Sequence, residues 1–323
     1  MRAPWTINTM CLEVMPSTSA YHAPVLASEV TELLRGSKRV LDCTLGGGGH
    51  SLALLEAGVP SVVGVDRDPQ ALAAAMTRLR DFAEAGRFTA VQSNYADLDA
   101  LSPIENTKFD GILLDLGISS HQVDDAERGF TFRQGARLDM RMGADATRDA
   151  ADLLNTADEA AITKIFKTFG DEPRAARLSH EIVRRRANKR FETSDDLVGA
   201  IRAVLGSRSG AAEFARLFQA LRIAVNGELE HLETFLARVL DWLRPAGRLV
   251  VIAYHSLEDR MVKQAMRSWL ARCTCPPALP RCVCGAQARV RILTGKVVTP
   301  SDAEVEANRR ARSARLRACE VLA

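Results

Sequence analysis

The sequence predicts an α/β fold: a parallel sheet wrapped by helices and broken once by a helical insertion. Three observations carry this. Strand-sized apolar runs alternate with helical patterns through residues 39–116, the spacing of a doubly wound sheet. One run, FDGILLDL at residues 109–116, is apolar on both faces, as a central parallel strand has to be. From about residue 124 to 227 strands disappear and the sequence turns helix-rich with basic faces, and the strand pattern returns only at residues 248–254.

The elements follow in order. YHAPVL from Tyr21 leads into an amphipathic helix over 27–34, which Gly36 closes at a C-terminal cap position. A first strand ends at Asp42, and four glycines, Gly46 to Gly49, precede a helix starting at Ser51. A second strand, 61–65, runs up to Asp66. Asp68-Pro69 opens an alanine-rich helix to about residue 85, with the proline suited to its first turn. Residues 88–92 make a third strand and 109–116 a fourth. In the insertion a helix over 173–190 carries Arg174, Arg177, Arg184, Arg185, Arg186, Lys189 and Arg190, and SRSG from Ser207 reads as a mobile loop. A helix over 229–243 and a turn at Pro245-Ala246-Gly247 lead to the fifth strand, and residues 290–293 and 316–322 are candidates for a closing antiparallel pair. The expected division is an extension at 1–20, a sheet domain over 21–124 and 228–323, and an inserted helical domain over 125–227.

Composition excludes several classes. A chain of 323 residues with 47% hydrophobic and 26% charged residues is that of an ordinary globular protein. No apolar run approaches the ~20 residues of a membrane helix, and the first twenty residues lack the pattern of a secretory signal. A net charge of +3 says little about nucleic acid; the clustering of arginines says more. Seven unevenly spread cysteines fit a reducing compartment, so the expected location is cytoplasmic.

The chemistry concentrates at RVLDCTLGGGGH, residues 39–50. A strand that breaks into glycines and enters a helix lets backbone amides and a helix N-terminus approach a ligand. Asp66, ending the second strand, is placed to accept hydrogen bonds from both hydroxyls of an adenosine ribose. A dinucleotide fingerprint counted from Gly46 and Gly48 needs a third glycine where Ser51 stands, and a phosphate-binding loop needs Gly-Lys-Ser where the chain has Gly-His-Ser. S-adenosylmethionine fits better, having a ribose, an aminoacyl tail and no pyrophosphate.

Here the sequence resembles the bacterial small-subunit ribosomal RNA (cytosine-N4)-methyltransferases. The matching stretches are HAPVL at His22, DCTLGGGGHS from Asp42, VDRDPQAL from Val65, FDGILLDLGISSHQVDDAERGFTFRQGARLDMRM from Phe109, LFQALRIAVNGELEHL from Leu217, GRLVVIAYHSLEDRMVK from Gly247, and ARSARLR near the C-terminus. The pattern departs at Ala212–Arg216, at Ala224 and at Arg309, in the insertion and the tail. The resemblance implies a Rossmann-like class I S-adenosylmethionine-dependent methyltransferase sheet with an inserted all-helical substrate-recognition domain. It also implies methylation of N4 of a small-subunit (16S) rRNA cytidine at the decoding centre, on naked rRNA or on the assembled small subunit, with no membrane partner and a dimer as one option.

Carried over residue by residue, the resemblance puts Gly48, Gly49, His50, Asp66, Tyr95, Asp115 and Gln122 against the cofactor, with Asp115 also at the reaction centre. His50 is alternatively a helix-capping histidine, and Tyr95 a core tyrosine. Asp115 or a nearby backbone carbonyl would accept a hydrogen bond from the amine; His255, with Ser256, is a second candidate for contacting the base, or else a buried histidine holding a loop. Phe130, Phe132 and Tyr254 are candidates to receive an unstacked base, against ordinary core packing. The arginine-rich helix would contact phosphates. Cys273, Cys275, Cys282 and Cys284 form two C-x-C pairs that suit a structural zinc ion, reduced thiols or a disulfide. Methyl transfer needs no metal, and none is expected at the active site.

Overall fold

The computed structural model describes residues 24–99, 101, 104–119, 122–123, 125–270, 275 and 287–322. The expected extension over 1–20 and the cysteine cluster, Cys275 aside, lie outside them. The strands are β1 Arg39–Asp42, β2 Ser61–Asp66, β3 Phe88–Gln92, β4 Phe109–Asp115, β5 Leu243–Ala253, β6 Val290–Ile292 and β7 Arg315–Val321, and they form one sheet in the order β3-β2-β1-β4-β5-β7-β6. From β3 to β5 every pairing is parallel; β7 runs antiparallel between β5 and β6. Chain order reverses between β1 and β4, and a ligand crevice opens beyond the strand ends at such a switch point.

Helices cover both faces. In the first half of the chain these are α1 Ala27–Leu33, α2 Gly49–Glu56, α3 Pro69–Arg78 and α4 Arg80–Glu84. The insertion supplies α5 Ala150–Thr156, α6 Glu159–Thr168, α7 Ala175–Arg186, α8 Ser194–Leu205 and α9 Ala211–Asn226. The return to the sheet adds α10 Glu228–Arg238, α11 Ser256–Ser268 and the short α12 Asp302–Ala307. One apolar cluster packs α10 and α11 on one face through Phe235, Leu232, Val262 and Met266, and a second packs α1 and α2 on the other through Val30, Leu34, Leu54 and Leu55. A third draws only on residues between Phe130 and Val225, so the helices of the insertion share a core of their own.

Three elements differ from expectation. The helix expected from Pro69 to about residue 85 breaks at Leu79, whose side chain is fully buried beneath the glycine turn. The expected helix over 229–243 ends at Arg238 and tightens into a 3-10 turn, Val239–Trp242. Pro245-Ala246-Gly247 does not precede β5 but bulges it: the register opposite β4 slips there, with Ala246 at φ 62°.

Candidate active site

β1 delivers Asp42 to the sheet's carboxyl edge, where it is wholly buried. Ser51 Oγ donates to Asp42 Oδ2 at 2.7 Å and Thr44 N to Oδ1 at 3.2 Å. Burial dominates and pushes the Asp42 carboxyl up to about 6, against the Ser51 bond, the His50 charge and the Thr44 amide. The glycine turn follows, with Gly46 and Gly48 at φ 50° and 77°. A cavity of about 470 Å³ opens above it, lined by Gly46, Gly47, Gly49 and His50. Gly48, expected among these, does not line the cavity: it caps α2, and a Cβ on it would lie 3.0 Å from Leu79 Cδ1. Its glycine serves close helix packing.

Asp66 borders the same cavity. Gly46 N donates to its Oδ2 at 2.8 Å and Asp68 N to its Oδ1 at 2.9 Å. Burial raises its pKa despite those two amides. Each oxygen keeps a lone pair for a further donor, as a clamp on two ribose hydroxyls requires. Asp68 caps α3 through Gln70 N, and its other oxygen accepts from Gln122 Nε2 and Arg128 Nη2, both at 2.8 Å. Gln122 Oε1 accepts from Ser119 N at 3.0 Å, so this cavity residue also ties the segment after β4 to α3. Tyr95 lines the cavity with its ring edge-on to Phe235 at 5.6 Å and its hydroxyl 3.5 Å from the Glu228 carbonyl. Burial, then the Glu228 charge, raises its pKa.

Asp115 ends β4 beside β1: its amide donates to Thr44 Oγ1 at 2.6 Å, which locks the two strand ends together. Tyr254 Oη donates to Asp115 Oδ1 at 3.0 Å, and His50 Nε2 lies 3.4 Å from Oδ2, a charge contact more than a well-formed hydrogen bond. Burial works to lower the His50 pKa, but the bond and charge of Asp115 with the charges of Asp42 and Glu304 outweigh it, and the net shift is upward. The Tyr254 phenol is raised well above its usual value by burial and then by Asp115. Its ring packs on Gly117, at φ 100°, where a Cβ would sit 3.3 Å from the ring.

His255 stands next to the cavity, its ring within 4.8 Å of the carboxylates of Glu228 and Glu258, which line it. It caps α11, with Nδ1 accepting from Glu258 N at 3.4 Å and Nε2 lying 3.1 Å from Glu258 Oε1, while Glu258 Oε2 accepts from the Tyr254 and His255 amides. This reciprocal cap accounts for His255 as a loop-holding residue, and it does not line the cavity. Of the three aromatic candidates only Tyr254 lines the cavity. Phe130 packs against the helical core with the Arg128 guanidinium 5.9 Å from its ring, and Phe132 stays 36% exposed, edge-on to Phe214 and Phe218. The basic helix is likewise largely engaged within the insertion. Arg184 and Arg185 pair with Glu181, Lys189 pairs with Asp196, and Arg186 donates to the carbonyls of Leu154 and Ala157. Arg177 is exposed, with no ion pair among the described residues.

Several further residues line the cavity that the sequence analysis did not single out, although Arg222, Glu228 and Ser313 fall within stretches that carry the resemblance. Arg222 and Glu228 form a buried two-bond pair at 2.8 and 2.9 Å where α9 meets α10. Asn308, Arg310 and Ser313 reach the cavity from the C-terminal segment, beside the motif ARSARLR.

A seven-stranded sheet of this order with one antiparallel strand, glycines after β1 and acids ending β2 and β4, defines the class of Rossmann-like methyltransferases dependent on S-adenosylmethionine. A model of the MraW methylase family matches residues 19–322. The chain is 57% identical over 301 residues to the "Ribosomal RNA small subunit methyltransferase H" of Gemmatimonas aurantiaca, covering 93% of this chain and 95% of that protein. It is 46% identical over 311 residues to the protein of the same name from Myxococcus xanthus, covering 95% and 100%. The chain belongs to the MraW methylase family. Among the described residues no helix is long and apolar enough to cross a membrane.

Proposed function

We propose that the chain methylates the exocyclic N4 amine of a cytidine in small-subunit (16S) rRNA at the decoding centre, in the cytoplasm. The names and full-length coverage of its relatives support the rRNA substrate. The observation that carries the chemistry is Asp115, lining the switch-point cavity with one carboxylate oxygen held by Tyr254 and the other 3.4 Å from His50.

The cavity residues suit S-adenosylmethionine. Gly46, Gly47 and Gly49 leave room over the turn, Asp66 offers ribose acceptors, and Tyr95 and Gln122 add to the cavity lining. When bound, the cofactor supplies an activated methyl cation equivalent. The chain's residues do the rest by positioning and electrostatics. The cytosine amine is a weak nucleophile because its lone pair is delocalised into the ring. Asp115, accepting a hydrogen bond from an amine N–H, weakens that conjugation, aims the lone pair at the methyl group and stabilises the charge that develops on nitrogen. Tyr254 and His50 keep the carboxylate from rotating away. The base must leave its stack to reach this depth, and Tyr254 offers it a face. Phe132 and Arg177, both exposed on the insertion, are proposed contacts for flanking RNA.

The test is mass spectrometry of rRNA nucleosides from a deletion strain complemented with wild type or Asp115→Ala. N4-methylcytidine should vanish on deletion, return with wild type and stay absent with the variant. Full methylation with Asp115→Ala removes the catalytic role and favours another acceptor. Unchanged methylation on deletion favours a different substrate or a non-catalytic role in ribosome assembly. Labelling on naked rRNA versus isolated subunits separates those substrates, and light scattering tests for a dimer.

A further inference from the structure

We propose that Asp42, His50 and Asp115 act together as a buried proton store, which takes the proton released by the methylated amine and holds it while the demethylated cofactor is bound. The inference rests on the proposed reaction and deepens it. In the transfer, the sulfur–methyl bond breaks with its electron pair left on sulfur, and the N4 lone pair forms the new nitrogen–carbon bond. One positive charge thus leaves sulfur and appears on N4, which becomes a neutral methylamine only by losing one proton. A protein group within reach of the amine can take that proton directly.

The three groups come from β1, α2 and β4: His50 and Asp115 line the cavity, and Asp42 lies buried at the end of β1. His50 Nε2 is 3.4 Å from Asp115 Oδ2, and Ser51, the next residue of α2, donates to Asp42 Oδ2 at 2.7 Å, which ties buried Asp42 to the same helix turn. His50 is buried, and neither ring nitrogen makes a conventional hydrogen bond among the described residues. A buried imidazole left this way beside two carboxylates calls for an explanation, and free ring nitrogens are what a proton acceptor or relay needs. The surrounding groups are mostly acidic or neutral: Glu304 from α12, Tyr254 Oη from β5, Ser51 Oγ from α2 and the Cys43 thiol next to Asp42. Three carboxylates therefore face one imidazole. A sulfonium nearby offsets part of that excess, and when its charge is lost one proton restores the balance. Burial has already pushed Asp42 up to about 6, which puts uptake within reach of neutral pH. Because the sites are coupled, the proton belongs to the cluster and not to one member.

The experiment is calorimetric titration of the full-length protein with S-adenosylmethionine and, separately, S-adenosylhomocysteine, at pH 7 in buffers of different ionisation enthalpy. The dependence of heat on buffer counts protons taken up. The homocysteine form should take up more, by a sizeable fraction of one proton, and the difference should fall close to zero in Asp42→Asn. Ser51→Ala removes a hydrogen bond to the ionised Asp42 and should move the difference to higher pH. Equal uptake with both ligands in the wild type, or a difference unchanged in both variants, overturns the proposal while leaving the cofactor reading intact. Failure of both ligands to bind overturns the cofactor reading and this proposal with it.

Discussion

Tyr254 Oη donates to Asp115 Oδ1 at 3.0 Å, a bond that joins the end of β5 to the end of β4 at the centre of the cavity. Asp115 has no comparable partner on its other oxygen, where His50 stands at 3.4 Å. The phenol is therefore the main restraint on the carboxylate proposed to face the amine. Tyr254→Phe keeps the ring against Gly117 and deletes only this bond. A hydrogen bond to a charged group contributes about 1.5–3 kcal/mol, so kcat should fall by about ten- to a hundredfold with cofactor affinity unchanged. Steady-state kinetics with calorimetric binding checks this; a wild-type kcat would mean the carboxylate is held by other means.

Asp66 spends one lone pair on Gly46 N and one on Asp68 N. Asp66→Ala removes the proposed ribose clamp and also leaves the glycine turn without its anchor. Cofactor affinity should drop by at least about tenfold, on the scale of one charged hydrogen bond. Asp66→Asn, which keeps an acceptor, should lose less. Equal affinities across the three proteins would place the ribose elsewhere.

The Arg222–Glu228 pair is buried at the join between the insertion and the sheet domain. Removing one partner strands the other charge, at a cost of about 3–5 kcal/mol. Denaturant unfolding of Arg222→Ala should show a loss of that order. Replacing both, as Arg222→Met with Glu228→Leu, should recover most of it, and a double variant no better than the single one would refute this account.

Arg177 and Arg186 share α7 but differ in use. Arg186→Ala should lower thermal stability, because its guanidinium holds the carbonyls of Leu154 and Ala157. Arg177→Ala should leave stability unchanged, weaken RNA binding and reduce the slope of log affinity against log salt by about one. Filter binding over a salt series, with melting curves, tests both halves.

Asp42 gives a pH signature. Its folded pKa is about 6, raised by burial above the ordinary 3.8. The folded state holds that proton more tightly than the unfolded chain, so the stabilising contribution is complete below pH 3.8 and is lost as pH rises through 6. The span corresponds to a loss on the order of 2–3 kcal/mol. Asp42→Asn, which cannot ionise, should flatten the fall in Tm between pH 5 and pH 8. An unaltered pH dependence in the variant would assign that fall to other groups.

The sequence alone determined the alternation of parallel strands with helices, the cofactor type and the family. These depend on local signals: apolar period, glycines in a turn, an acid at a strand end. Asp66 and Asp115 could be named because each ends a strand, where position along the chain nearly fixes position in space, whereas Tyr95 and Gln122 were named through the family resemblance. Tertiary structure decided what each side chain touches. Gly48 serves helix packing because Leu79, thirty-one residues later in number, lies beneath it at 3.0 Å from where a Cβ would be. His255 serves a helix cap because Glu258 turns back onto it. Of the arginines of α7, Arg184 and Arg185 pair with Glu181, and Arg186 is engaged because the carbonyls of Leu154 and Ala157 come within reach on folding. Asp42 became a titrating group only through burial, and Arg222 and Glu228 became partners only through the close approach of α9 and α10. The Glu181 and Glu258 contacts are three or four residues apart and visible as spacing, but the Leu79, Leu154 and Ala157 contacts depend on distances across the folded chain, which a linear pattern does not encode.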